Sequence, residues 1–380
     1  MAFLDYELLR LIWWTLLGVL LIGFAVMDGF DLGVGALLPF IARGDVERRL
    51  VINAIAPTWE GNQVWFILGG GAIFAAWPLV YAISFSGFYL AMFLVLAALI
   101  LRPVAFKYRS KSNDPKWRAR WDWALFVGGF VPALVFGVAV GNVLQGAPFR
   151  IDSDLRATYE GGLLGLFTPF TLVCGLLSVA MLVLHGSAWL AVKIEHGPVH
   201  YRARAVGTGA AVASLLLFAI GWGFVATGNG YAAQGVVDSF GPSNPTRLTT
   251  VVEQGAWLAN YARHPWMMLA PVLGFGGTAL ALAGILFRRE AAALAGSSLG
   301  ATGIIATVGL SMFPYILPSS IDAHSSLTVW NASSSEPTLF LMLIVTVVLL
   351  PIVLAYTAWA YRVMFGRVTT AQVVANVDLY

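Results

Sequence analysis

Runs of about 18 or more mostly apolar residues recur along the 380 positions, and short segments between them gather the charge. Each run can cross a hydrocarbon core of ~30 Å as a helix. The pattern predicts helices near residues 9–36, 50–75, 78–103, 122–145, 161–186, 203–227, 265–287, 291–314 and 337–363. The first is longer than a crossing needs, which predicts tilt or an interfacial extension. Only the Trp77-Pro78 step parts the second helix from the third, so a count of eight competes with nine. The longest connection, near 228–264, predicts a short amphipathic helix around Val251–Tyr261.

Charge placement selects between the counts. Segments 41–50, 102–121 and 186–205, the turn after the seventh helix and the tail carry 17 of the 22 basic residues. Segment 315–336 has no Lys or Arg. Nine helices put every basic segment on one side, and eight do not. The excess of Lys and Arg marks the cytoplasmic face, so the N-terminus is expected outside and the C-terminus inside. Composition agrees with a chain embedded in lipid: 59% of residues are hydrophobic and 11% charged, against ~25% charged in soluble domains. Asp5 and Glu7 precede the first apolar run, which reads as a retained helix rather than a cleaved signal. No composition shift, repeat or low-complexity tract divides the sequence, so residues 1–380 read as one all-α, polytopic membrane domain.

Carboxylates within such helices are costly and are functional hypotheses by default. Glu60 would lie about ten residues into the second helix, roughly 15 Å deep at 1.5 Å per residue. Asn53, Pro57 and Glu60 would share a face at i, i+4 and i+7. Pro57 would free the Asn53 carbonyl. Asn62 and Gln63 add hydrogen-bonding groups, so the cluster can hold water and a transferable proton. A carboxyl locked in a structural network is the alternative. Asp28 and Asp31 sit three apart on the first helix, among Gly29, Gly33 and Gly35. They read either as a polar proton entrance toward Glu60 or as part of a packing seam. Trp59 and Trp65 flank Glu60 and are candidates to pack on a partner or a quinone ring. Arg102, before Pro103, would close the third helix, where it could neutralise a carboxylate or a lipid phosphate.

Other chemistries find little support. Of five histidines only His185 falls at a predicted helix end, so neither a haem–copper site nor a bis-histidine haem is expected. Cys174 is the only cysteine, which excludes disulfides and CxxC sites. There is no phosphate-binding G-x-x-x-x-G-K-[ST] motif and no sign of nucleic-acid binding. Seven of the 14 tryptophans, Trp13, Trp14, Trp77, Trp121, Trp123, Trp266 and Trp359, lie near predicted helix ends, as an interfacial belt requires.

Several long stretches resemble one family. They are DYELLRLIWWTLLGVLLIGFAVMDGFDLGVGALLPF, RRLVINAIAPTWEGNQVWFILGGGAIFAAWPLVYAISFSGFY, LRPVAFKYRSK, FVPALVFGVAVGNVLQGAPF, GAWLANY, SMFPYILPSS and YTAWAYRVMFGR. Together they cover essentially the whole chain and resemble subunit II of cytochrome bd-type ubiquinol oxidases, the cyanide-insensitive branch included. The resemblance implies two four-helix bundles plus one extra helix, in a bacterial inner membrane. It implies a heterodimer with a subunit I that holds two b-type haems and one d-type or third b-type haem. Such a complex oxidises quinol and reduces oxygen to water with cytoplasmic protons. A small accessory subunit and a structural quinone occur in the family, while subunit II itself carries no haem. The acidic residue of the family's W-[DE]-G-N-Q motif belongs to a proton route and matches Glu60. Two rival readings stay open: a proton-coupled secondary transporter, and a purely structural scaffold subunit.

Overall fold

The computed structural model describes residues 4–235 and 238–375. The first span runs over Tyr6–Ile41 as α1 (Tyr6–Met27) and α2 (Gly29–Ile41), which part only at Asp28. Asp5 caps its start by accepting from the Leu8 N–H. A short α3 (Asp45–Asn53) follows, then α4 (Trp59–Ala76), α5 (Pro78–Gly87) and α6 (Tyr89–Tyr108). Next come α7 (Pro115–Gln145), α8 (Pro169–Lys193) and α9 (Pro198–Thr227). After a five-residue α10 (Ala259–Arg263) come α11 (Leu269–Leu286), α12 (Glu290–Met312), α13 (Glu336–Val363) and α14 (Thr370–Ala375). Proline opens α5, α7, α8 and α9, where its missing N–H has no intrahelical partner to lose.

Eight helices among the described residues are long and apolar enough to cross a membrane. The chain is thus a polytopic helical membrane protein. The 18-residue α4 is outside that set, because its first turns carry Glu60, Asn62 and Gln63. It nevertheless runs from one end of the bundle to the other. Beyond its far end the Ala76 carbonyl accepts from the Ser334 N–H, just before α13. The described residues thus hold eight apolar helices of membrane length, with α4 as a further, less apolar helix, where the charge pattern predicts nine crossings. In chain order the α1–α2 span, α4, α6 and α7 form a first set of helices and α8, α9, α11 and α12 a second, and the two sets pack on each other through α8 against α2 and α7 and through α12 against α1. α13 lies outside both against α1 and α4, with Leu339 as its single buried residue. The Gly29/Gly33 stripe is a packing seam against α8. A Cβ on Gly33 would collide with the Leu182 carbonyl, and Gly186 stands at the same contact.

Three antiparallel hairpins close one end. They are β1 (Phe149–Ile151) with β2 (Ala157–Tyr159), β3 (Asn229–Gln234) with β4 (Thr249–Gln254), and β5 (Tyr315–Leu317) with β6 (Leu327–Thr328). Burial pushes the Tyr231 phenol in β3 up to about 12, so it stays protonated and donates to the Gln145 carbonyl at 3.0 Å. The basic segments meet at the opposite end. Arg109 there bridges Asp45 and Asp122, Arg202 holds Glu47, and the Lys193 carbonyl accepts from the Val368 N–H.

Several expectations are corrected. The predicted second helix, 50–75, is broken over 54–58. Pro57 has no N–H, and the residue before a proline is disfavoured in helix. The freed Ala54 carbonyl is taken by the Trp189 indole at 3.0 Å. The short helix expected around Val251–Tyr261 starts later, with a 3-10 turn at Ala256–Leu258 leading into α10, because the β-branched run Thr-Thr-Val-Val pairs as β4. The fifth helix starts at Pro169 rather than 161, set by a capping box between Thr168 and Thr171, and continues to Lys193. Arg102-Pro103 does not end the third predicted helix, since α6 runs on to Tyr108.

Candidate functional site

The break between α1 and α2, the start of α4 and the middle of α6 bring the polar residues together. Asp28 and Asp31 are both 1% exposed. Arg102, 2% exposed, donates to both Asp28 oxygens at 2.9 and 3.2 Å. Such a two-pronged contact is the strong form of an arginine–carboxylate pair. The Trp59 ring faces the Arg102 guanidinium at 5.7 Å and stacks on Phe106 at 5.2 Å. Of the two fates considered for Arg102, pairing with a carboxylate is the one observed.

Asp31 is held differently. Its Oδ2 accepts from Asn62 Nδ2 at 2.7 Å, while Oδ1 is buried with no hydrogen-bond partner. Asn62 Oδ1 in turn accepts from the Tyr361 hydroxyl at 2.7 Å. A line of polar contacts therefore joins Asp31 to α13 through Asn62. Tyr361 was not singled out from the sequence, because it lies some 300 positions from Asn62. The signal available was Asn62 itself, an amide in an apolar helix that must find partners on both sides.

Glu60 stands apart from this cluster. It lies in the first turn of α4, not deep in a continuous helix, and it is exposed. The helix N-terminus favours its negative charge. Two residues along a helix turn the side chain by about 200°, so Glu60 points away from the Asn62 that binds Asp31. Among the described residues no hydrogen bond or ion pair engages Glu60. Asn53 and Pro57 do not share its helix face: Asn53 ends α3, buried, with its Nδ2 donating to the Arg49 carbonyl at 2.8 Å, and Pro57 is exposed in the break. Gln63 is half-buried. Trp59 and Trp65 are both buried within this chain, Trp65 against Gly23, so neither ring is free to stack on a quinone.

Two of the histidines, His185 and His200, are buried. His185 uses both nitrogens, Nδ1 with Ser297 Oγ at 2.8 Å and Nε2 with the Val26 carbonyl at 2.9 Å. It has no nitrogen left for an axial bond. His200 was expected in a loop but is buried in the first turn of α9, beside Glu290. These residues do not fit a haem held between two histidines.

Comparison with known proteins gives one answer at sequence and fold level. The family described as "Cytochrome bd terminal oxidase subunit II" matches residues 9–364. The chain is 50% identical over 374 residues to "Cytochrome bd-I ubiquinol oxidase subunit 2" of Escherichia coli K12, covering 98% of each. It is 30% identical over 364 residues to "Cytochrome bd ubiquinol oxidase subunit 2" of Bacillus subtilis, covering 94% of this chain and 96% of the relative. A chain of the bd oxidase structure from Geobacillus thermodenitrificans superposes with a TM-score of 0.69. That match covers 94% of this chain and 98% of the other at 14% identity, which shows a shared fold.

Proposed function

Since the chain belongs to the cytochrome bd terminal oxidase subunit II family, we propose that it is the haem-free membrane subunit of a quinol oxidase that delivers protons to a haem-bearing subunit I. Its single membrane domain of nine crossings sits in a bacterial inner membrane, with the hairpin end outside and the basic end in the cytoplasm. Reduction of one oxygen molecule to two waters consumes four electrons and four protons. The electrons come from two quinols through the haems of subunit I, two b-type and one d-type or third b-type. The protons come from the cytoplasm, and part of that supply passes through this chain.

Within the chain the division of labour follows from the contacts. Asp28 is matched by Arg102 and holds that guanidinium in place. Asp31, with one unpartnered oxygen, takes up the proton. Asn62 fixes its other oxygen and links it to Tyr361. Glu60 presents a carboxyl on the outer surface of α4, where a partner subunit can accept its proton. The observation that carries the relay is an exposed carboxylate without an internal partner, at the start of a helix that lines a buried acidic cluster. The apolar outer face of α13 suits lipid, subunit I or a small accessory subunit. A structural quinone would need a site other than Trp59 and Trp65.

Gentle purification of the tagged chain, with a reduced-minus-oxidised visible spectrum and quinol-driven oxygen uptake, tests this. Haem bands and uptake that travel with a second membrane subunit are expected. A colourless, inactive, partnerless chain that transports a solute in liposomes would favour the transporter.

A further inference from the structure

A second cluster lies at the basic end, away from Asp31 and Glu60. His196 in the turn before α9, His200 in the first turn of α9 and Glu290 at the start of α12 converge there. One ligand atom from each lies within 4.8 Å of the others. His200 Nε2 is 3.2 Å and His196 Nε2 3.5 Å from the same Glu290 Oε1. We infer that these three side chains form a binding site for a divalent transition-metal ion of the zinc type.

The spacing is the main argument. A tetrahedral zinc with bonds of 2.0–2.1 Å holds its donors about 3.3 Å apart. Both histidine-to-glutamate separations fall at that value before any ion is present. The donor set, two imidazoles and a carboxylate, suits zinc, cobalt or nickel rather than magnesium or calcium, which take mostly oxygen. The carboxylate is already oriented: Arg367 in the tail binds Glu290 Oε2 and leaves Oε1 toward the histidines. Ligating carboxylates usually carry such an outer partner. His200 is 1% exposed, its Nδ1 has no partner, and Glu290 is the only hydrogen-bond partner of its ring among the described residues. His196 is exposed, so the fourth position opens to solvent.

Cations surround the site and set its limits. Arg204 and Arg288 line the adjoining cavity of about 100 Å³. The Arg204 guanidinium is committed to the Ile285 carbonyl. Two neutral imidazoles and one carboxylate leave a bound M²⁺ with a net charge of +1 beside these arginines, so binding is moderate and weakens as the histidines protonate. A bound ion would clip together the α8–α9 turn, the start of α12 and, through Arg367, the tail.

The test uses the purified assembled complex, stripped with a chelator and dialysed against labelled zinc at neutral pH. One zinc per complex should be retained by the wild type beyond that held by His196→Ala or Glu290→Gln. Arg367→Ala should bind about 10–100-fold more weakly, as loss of an outer partner does. His196 is exposed, so His196→Ala is expected to assemble with normal haem content. Equal zinc binding in wild type and His196→Ala, or none in the wild type, would overturn the inference. Oxygen uptake plays no part in this readout, so it stands or falls apart from the proton relay.

Discussion

The two helix groups bury polar atoms in opposite ways. In α8, α9, α11 and α12 the buried groups are mostly hydroxyls that bond to a nearby backbone. Ser214 donates to Ala210, Thr278 to Gly274 and Thr307 to Gly303, each four residues back, and Ser187 donates to Ala203 across the α8–α9 contact. In α1–α2, α4, α6 and α7 the buried groups include Asp28, Asp31 and Arg102, and their partners lie on other helices. A hydroxyl bonded to its own helix costs little to remove. A buried charge whose partner is removed costs a great deal. The helices α1–α2, α4, α6 and α7 therefore accept an expense that packing does not require, and that contrast supports the proton role proposed for them.

Unpairing the buried charge should cost the most. Arg102→Leu should destabilise the complex by about 3–5 kcal/mol, because Asp28 would be left buried and alone. Thermal unfolding and haem yield would report it, and Asp28→Leu in the same chain should recover much of the loss. Asn62→Leu should cost about 1–3 kcal/mol by stripping a hydrogen bond from Asp31 Oδ2 and from Tyr361. In the second group Thr278→Ala should shift the melting temperature far less, by under about 1 kcal/mol, since only a bond within its own helix is lost. An equal effect at both places would erase the distinction between them.

The smallest effect concerns pH. Burial pulls the Glu47 carboxyl upward, but the Arg202 hydrogen bond and the Arg43 and Gly44 backbone outweigh it and hold it below the usual carboxylate range. Its contribution is therefore present above the unfolded carboxylate pKa and is lost as pH falls through the lower folded value. Glu47→Gln should flatten that acid limb by at most ~1 kcal/mol, because the pair is partly exposed. Melting curves between neutral and acid pH would show it.

Much of this contrast was legible in the sequence. The apolar runs and the loop charge located the crossings, because lipid leaves few alternatives to long helices. Asp28, Asp31, Asn62 and Arg102 stood out as polar residues in apolar helices. What could not be read was who pairs with whom. Asp28 meets Arg102 across 74 positions, and Asn62 meets Tyr361 across 299. Helix periodicity carries no information at such separations. Pro57 frees the Asn53 carbonyl, but a continuous helix over 50–75 places Glu60 too deep and on a shared face with Asn53. The His196–His200–Glu290 cluster was hidden for the same reason, since Glu290 joins it from another helix.

In the proposed function Glu60 passes protons rather than merely occupying a surface. The most direct test is quinol-driven oxygen uptake by the assembled complex carrying Glu60→Gln, with haem content measured on the same preparation. The exposed side chain has no internal partner to lose, so haem content should stay normal, and uptake should fall by at least ~10-fold as a proton-transferring group is removed. Uptake equal to the wild type at full haem content would contradict the relay and leave this chain a scaffold.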